Sequence, residues 1–245
     1  MTQLSKEAVS YLVDLVSTLN PARMDGAVLD DLGTRAIDET GTIALLTDKV
    51  PDFPAAIALT RIPQLKARLE LVKDKPNFII EYALSGEGDT ADMVAETKQF
   101  ITGLTLKADG VKAGYRCGDP ASVKAPKKIL DEAVTSFVVK TDDVSAIQNA
   151  VNAFGPAKEL QFTIDEGDIQ FMVSDENGDS FSTSVGSSTY DGKLSHSYNA
   201  VNISALLKLA LVQGSVNIGI SERGILSIDR GLFTFYVMPS KIGNS

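Results

Sequence analysis

Cysteine and histidine are almost absent from this chain: its 245 residues include one of each, Cys117 and His196. A lone cysteine excludes an internal disulfide and a thiolate metal cluster. A lone histidine excludes a multi-histidine metal site and weakens the case for imidazole-based catalysis. Positive charge is also short, with 23 Lys and Arg against 32 Asp and Glu and a formal net charge of −9. The global basic footprint of most nucleic-acid binders is therefore missing, although screening over about 8 Å leaves room for a local patch. No apolar run approaches the roughly 18–20 residues of a membrane span. The longest candidate, ISALLKLALV, is interrupted by Lys208. The opening MTQLSKEAVSYLVDL has no basic segment leading into an unbroken apolar one, so no secretory signal is expected and a cytosolic location is.

Hydrophobic residues make up 44% of the chain, enough for one large core or two smaller ones. Their spacing shows a unit used twice in the C-terminal half, and internal repetition constrains architecture before any short motif does. Thr135–Lys140 reads as a strand, Asp142–Phe154 as a helix, and Glu159–Asp165, Asp168–Ser174 and Ser180–Val185 as a three-strand meander. The order recurs as strand Ser197–Val201, helix Ile203–Val212, and strands Ser215–Ile220, Gly224–Ile228 and Leu232–Met238.

The N-terminal half follows the same plan less cleanly. Ser5–Leu19 has helical spacing, with Val9, Leu12, Val13 and Val16 on one predicted buried stripe. Strands are expected at Ala27–Asp31, Gly33–Ile37, Thr42–Thr47 and Ala55–Leu59. A second helix is expected at Ile62–Val72, with Ile62, Leu65, Leu69 and Val72 inward and Pro63 in the first turn, where a missing N–H costs least. Strands Phe78–Leu84, Phe100–Lys107 and Val111–Arg116 complete that half, around a polar insertion at Gly86–Gln99. The proline- and lysine-bearing stretch GDPASVKAPKKILDEA breaks the rhythm and reads as a connector. The expected division is domain 1 over 1–118, a connector over 119–133 and domain 2 over 134–245. Each domain would be α+β, with two helices packed on antiparallel sheets.

The helices are expected to be basic or neutral and the hairpin turns acidic. In the third helix Val144, Ile147, Val151 and Phe154 form the buried stripe, Asp142 the N-cap, and Ser145, Asn149 and Asn152 the opposite face. In the fourth, Ile203, Leu206, Leu207 and Ala210 pack inward while Lys208 projects away. Arg61, Lys66, Arg68 and Lys73 decorate the second. Such charges are ordinary on solvated helix faces; on helices lining a hole they would attract a polyanion.

Together these features resemble the DNA sliding clamps, the processivity rings of replicative polymerases, and within them the clamps of T-even-type bacteriophages. LSKEAVSYLVDLVSTLN at Leu4–Asn20 resembles the opening helix, CGDPASVKAPKK at Cys117–Lys128 the connector, and KELQFTIDEGDIQFMVSDENGDS at Lys158–Ser180 the hairpin after the third helix. The Gly86–Gln99 segment departs from the pattern. The resemblance implies a DNA-clamp fold and a homotrimeric ring closed by head-to-tail contacts, with helices facing double-stranded DNA and sheets outside. It implies no catalysis, no cofactor and no metal. DNA would be attracted without sequence preference by Lys6, Arg61, Lys66, Arg68, Lys73 and Lys208, helped by Asn149 and Asn152. Partner peptides from the DNA polymerase would dock on Val123, Pro126, Ile129, Leu130, Val237 and Pro239. The strand bearing Val111, Ala113 and Tyr115 is expected to pair with the one bearing Ser180, Ser182 and Ser184 in a neighbouring chain. A clamp loader and an RNA-polymerase-associated factor of late transcription are further implied partners.

Two other function classes stay open from the residues alone: a metal-dependent hydrolase using the acidic turns, and a viral structural or assembly protein. SGEGD at Ser85–Asp89 lacks the continuation of a phosphate-binding loop and reads as a flexible loop. Asp165, Glu166 and Asp168, like Asp175, Glu176 and Asp179, sit at predicted hairpin turns, where acidic residues favour tight bends. His196 has no nameable triad partner, and Cys117 has no basic helix terminus beside it.

Overall fold

The computed structural model describes residues 2–85, 99–126, 131–154, 159–175, 177–211 and 214–240. In chain order the elements are β1 (Thr2–Gln3), α1 (Lys6–Leu19), β2 (Gly26–Asp30), β3 (Gly33–Ile37), β4 (Ile43–Thr47), β5 (Ala56–Thr60), α2 (Ile62–Glu70), β6 (Ile79–Leu84), β7 (Phe100–Ala108) and β8 (Val111–Arg116). They continue with β9 (Thr135–Lys140), α3 (Thr141–Ala153), β10 (Glu159–Asp165), β11 (Asp168–Ser174), β12 (Ser180–Ser187), β13 (Lys193–Asn199), α4 (Ala200–Ala210), β14 (Ser215–Ile220), β15 (Leu226–Arg230) and β16 (Phe233–Val237). Two compact units result: Met1–Glu39 with Leu46–Pro126, and Thr40–Leu45 with Lys127–Ser245. The expected insertion over residues 86–98 lies outside the described residues. Its stem does not: Ser85 and Phe100 exchange backbone and hydroxyl hydrogen bonds of 2.9 and 3.0 Å.

In the first unit the strands run β1-β6-β7-β5-β2-β3, with β8 on the other part of β7. Pairing is antiparallel except between β5 and β7. Helices α1 and α2 pack on each other. The buried stripe of α1 is Ala8, Tyr11, Leu12, Leu15, Val16 and Leu19, which corrects the expected one: Val9 and Val13 are only half-buried. Both stripes have helical spacing, so periodicity alone does not choose. Tertiary partners do: the Tyr11 hydroxyl meets the Thr34 hydroxyl at 2.6 Å, and its ring meets Phe53 edge-on at 6.2 Å. Ser5 caps α1, its Oγ accepting the Ala8 N–H at 3.1 Å. Helix α2 buries Ile62, Leu65 and Leu69 as expected but ends at Glu70, two residues early. There Leu71 and Val72 donate to carbonyls three residues back, a tightened last turn that still buries Val72.

In the second unit β9 lies beside β14, β14-β15-β16 form an antiparallel meander, and β4 lies beside β16. A separate sheet runs β12-β11-β10-β13. Side chains alternate with period two: Leu160, Phe162, Ile164, Ile169, Phe171 and Val173 are all buried. Phe162 is the hub, with ring centroids of Phe137, Phe171 and Tyr198 at 6.1, 6.5 and 6.0 Å. Glu166 (φ 50°) and Gly167 (φ 87°) form the two-residue turn of the β10–β11 hairpin, whose positive angles match strand twist.

Three expectations change here. Asp142 is not the N-cap of α3; the helix starts one residue earlier behind Lys140, whose N–H is accepted by Asp143 Oδ2 at 3.0 Å. Phe154 closes α3 as its half-buried C-cap and adds little to the stripe of Val144, Ile147 and Val151. The strand expected at Ser197–Val201 instead ends at Asn199, whose side chain caps α4 by accepting the Asn202 N–H at 2.9 Å, so Val201 is helical and exposed.

Truncating the hub should unfold the second unit first. Phe162→Ala is expected to cost about 3–5 kcal/mol in denaturant unfolding, read by loss of far-ultraviolet circular dichroism; a loss below 1 kcal/mol would show that the aromatic cluster is not the core.

Candidate functional site

Two kinds of surface carry polar groups that the fold leaves available: the solvent sides of the helices and two strand edges. Along α1–α4 the charges are four cations, Lys6, Lys66, Arg68 and Lys208, against five carboxylates, Glu7, Asp14, Glu70, Asp142 and Asp143. The expectation of basic-to-neutral helices is therefore corrected to a near balance, with α2 and α4 net basic and α1 and α3 net acidic. Helix polarity explains three of the acids: Glu7, Asp142 and Asp143 sit in first turns, where the partial positive charge favours carboxylates. Lys6 and Lys208 are exposed, Lys66 is half-buried, and Asn149 and Asn152 are exposed on α3. Lys73 lies beyond α2 and is paired with Glu70 at 2.9 Å. The hairpin turns are acidic as expected, at Asp165–Glu166 and at Asp175 and Asp179.

Arg61 stands apart from the other cations. It is the N-cap of α2 in a left-handed conformation (φ 54°, ψ 51°), and its guanidinium lies 5.8 Å over the Tyr115 ring. It also donates to the Arg116 carbonyl at 3.0 Å. Arg61, Arg68 and Arg116 line a cleft of about 490 Å³ beside β8. Sequence reasoning placed Arg61 and Arg68 on a helix face and missed Arg116; the overlooked signal was its position in the same strand phase as exposed Lys112.

The hydrogen-bonding phase of both edges is fixed. Cys117 donates to Thr102 at 2.9 Å, so Tyr115, Ala113 and Val111 aim their backbone groups at β7. Lys112, Gly114 and Arg116 aim theirs away, where no strand pairs with them among the described residues. Tyr115 is buried, its hydroxyl accepting the Thr60 N–H at 2.7 Å and contacting the Thr60 carbonyl. In β12, the Asp175–Asp179 backbone bond of 3.0 Å sets the phase, and Ser180, Ser182 and Ser184 present their backbone outward. Elsewhere the Ser240 N–H donates to the Ser197 carbonyl of β13 at 2.7 Å, and the Ser188 hydroxyl meets that of Thr135 on β9.

The residues named for peptide docking fall in both units. Val123 packs on the chain at Gly26, and the Pro126 carbonyl accepts from Arg35 Nη1 at 3.1 Å, within the first unit. Val237 is buried and Pro239 half-buried in the second; Ile129 and Leu130 lie outside the described residues. Among the described residues no group of three His, Cys, Asp or Glu side chains is arranged to hold a metal ion. His196 is half-buried against the Gly224 turn, and desolvation lowers its pKa.

The arrangement is the DNA-clamp fold, an α+β architecture of few helices on antiparallel sheets. It is similar to the structure of the C-terminal region of FEN-1 bound to A. fulgidus PCNA, with a TM-score of 0.63 and 12% identity over 93% of this chain and 96% of that one. Proliferating cellular nuclear antigen from Entamoeba histolytica gives 0.65 and 13% identity, over 96% of each chain. PCNA from Thermococcus kodakaraensis gives 0.63 and 16%, over 94% and 96%. No protein-family profile matches the chain, and no curated protein matches it in sequence.

Cys117 offers a direct check on the β8 region. Burial pushes its thiol up to about 12, so the nucleophilic thiolate is scarce in the folded chain. Alkylation by iodoacetamide at about pH 8.5, near the free thiol's ordinary value, should be slow in the native protein and fast in denaturant; equal rates would mean that the strand end is open.

Proposed function

We propose that the chain is a sliding clamp: a homotrimeric ring that encloses double-stranded DNA and tethers a DNA polymerase to it. The observation that carries this reading is the near-complete overlap, in both directions, with clamp-fold structures. Among the described residues, β8 in one unit and β12 in the other each have three outward-facing residues that no strand pairs with, and a head-to-tail contact between such edges closes into a ring when its rotation allows.

Retention by enclosure requires no bond to be made or broken, and no tight local grip. The near balance of charge on the helices suits that mechanism, because a strongly basic lining would slow movement along the duplex. Lys6, Lys66 and Lys208 supply weak phosphate attraction through counterion release, with Asn149 and Asn152 as neutral donors and Lys73 partly spent on Glu70. In this reading partner peptides dock on Val123, Pro126, Ile129, Leu130, Val237 and Pro239. A clamp loader opens the ring, and the T-even-type resemblance adds a late-transcription partner and a location in the host cytoplasm.

Native mass spectrometry is expected to give three times the 26.1 kDa chain mass. Loaded protein should stay on circular DNA and run off after linearisation; retention on linear DNA would defeat the reading. With Lys6, Lys66 and Lys208 all changed to Glu, trimer mass should persist while residence on circular DNA falls roughly tenfold at low salt. Unchanged residence would remove these lysines from the DNA role.

A further inference from the structure

Arg35 lies on β3, 91 positions before Pro126, yet its Nη1 donates to the Pro126 carbonyl at 3.1 Å. The other arm of the same guanidinium, Nη2, pairs with Asp30 Oδ2 at the end of β2. Only 16% of the Arg35 side chain is exposed, so salt screens this pair little. Asp30 is itself fixed, its Oδ1 accepting the Leu32 N–H at 3.0 Å in the β2–β3 turn. Contacts therefore run from a hairpin turn, through one planar fork, to a single carbonyl of the connector. The fork sets the place of that carbonyl relative to Asp30, which the single ammonium of a lysine would not do.

The rest of this stretch is tied mainly at its start. Gly118 donates to the Ala58 carbonyl at 2.8 Å, and Asp119 accepts the Ala121 and Ser122 N–H groups at 2.8 and 2.9 Å. Val123 rests on Gly26, where an added Cβ would lie 3.4 Å from its Cγ1. Among the described residues no backbone hydrogen bond holds Val123, Lys124 or Ala125. Pro126 has no N–H to offer, so its carbonyl is the one backbone group through which it can be held. Arg35 takes that group.

We propose that Arg35 is a positioning residue of the partner-peptide site: through the Pro126 carbonyl it holds Val123 and Pro126 where a peptide's apolar anchor docks, without touching the peptide itself. This rests on the docking reading above and adds the residue that preforms it. A segment that is in place only part of the time lowers the apparent affinity of its ligand by that fraction. Arg35, oriented by Asp30, keeps the fraction high.

The test uses the full chain and two readouts. Trypsin cleavage after Lys124, followed by mass spectrometry, reads how often the segment leaves its seat. The docking probe is a peptide panned from a random-sequence library on the wild-type chain and kept because it slows that cleavage. Arg35→Met, which keeps side-chain length without the fork, should raise cleavage after Lys124 about tenfold and weaken the probe by the same factor. Arg35→Lys should follow Arg35→Met and not wild type. Asp30→Asn keeps an oxygen for the Leu32 N–H and should lose less; added to Arg35→Met it should cost nothing further, because both act through one carbonyl. Unchanged cleavage in Arg35→Met overturns the proposal, as does faster cleavage with unchanged affinity. Affinity lost without faster cleavage also overturns it, by putting Arg35 in contact with the peptide. Cleavage raised equally at distant sites such as Lys6 would reduce Arg35 to a general structural role and overturn it too. If no peptide slows cleavage after Lys124, the docking reading itself falls, and this role with it.

Discussion

Unpaired backbone groups along β8 and β12 set the terms for everything else in this protein. A strand edge that presents three alternate residues to solvent is a template for another strand, and sheet proteins either cover such edges or use them. On the edge strand β13 the Ser240 N–H donates to the Ser197 carbonyl. Among the described residues no strand pairs with the outer edges of β12 and β8, and each belongs to a different unit. In the proposed ring, pairing between copies would satisfy both edges.

The electrostatics sort by location in the fold. Acidic residues concentrate at hairpin turns and helix first turns, where tight bends and helix polarity favour them. With those first-turn acids counted, the helices are close to neutral, four cations against five carboxylates. A net charge of −9 would repel DNA at long range, yet a ring of the proposed kind would need little attraction once loaded. At the N-terminus of α2, the Tyr115 ring and the Arg116 carbonyl position the Arg61 guanidinium.

Much of the fold was legible because its signals are local. Strands β3, β8, β9, β10, β11 and β14 have the expected bounds, since alternation and flanking turn residues are properties of a few neighbours. The stripe of α2 was legible too, having only one apolar face. The stripe of α1 was not, because two overlapping apolar rows compete and only Thr34 and Phe53 decide between them. The α4 boundary moved because Asn199 acts as a cap, a role that depends on where its backbone turns.

By itself, the amino-acid sequence determined the repeated α+β plan, the acidic turns, and the poverty in cysteine and histidine that narrows the chemistry. All of these follow from residue type and short-range spacing. Tertiary structure decided which backbone groups of β8 and β12 face outward and which three arginines share a cleft. Those depend on strand register and on contacts between segments some fifty residues apart, such as Arg61 with Arg116, and no local pattern encodes them.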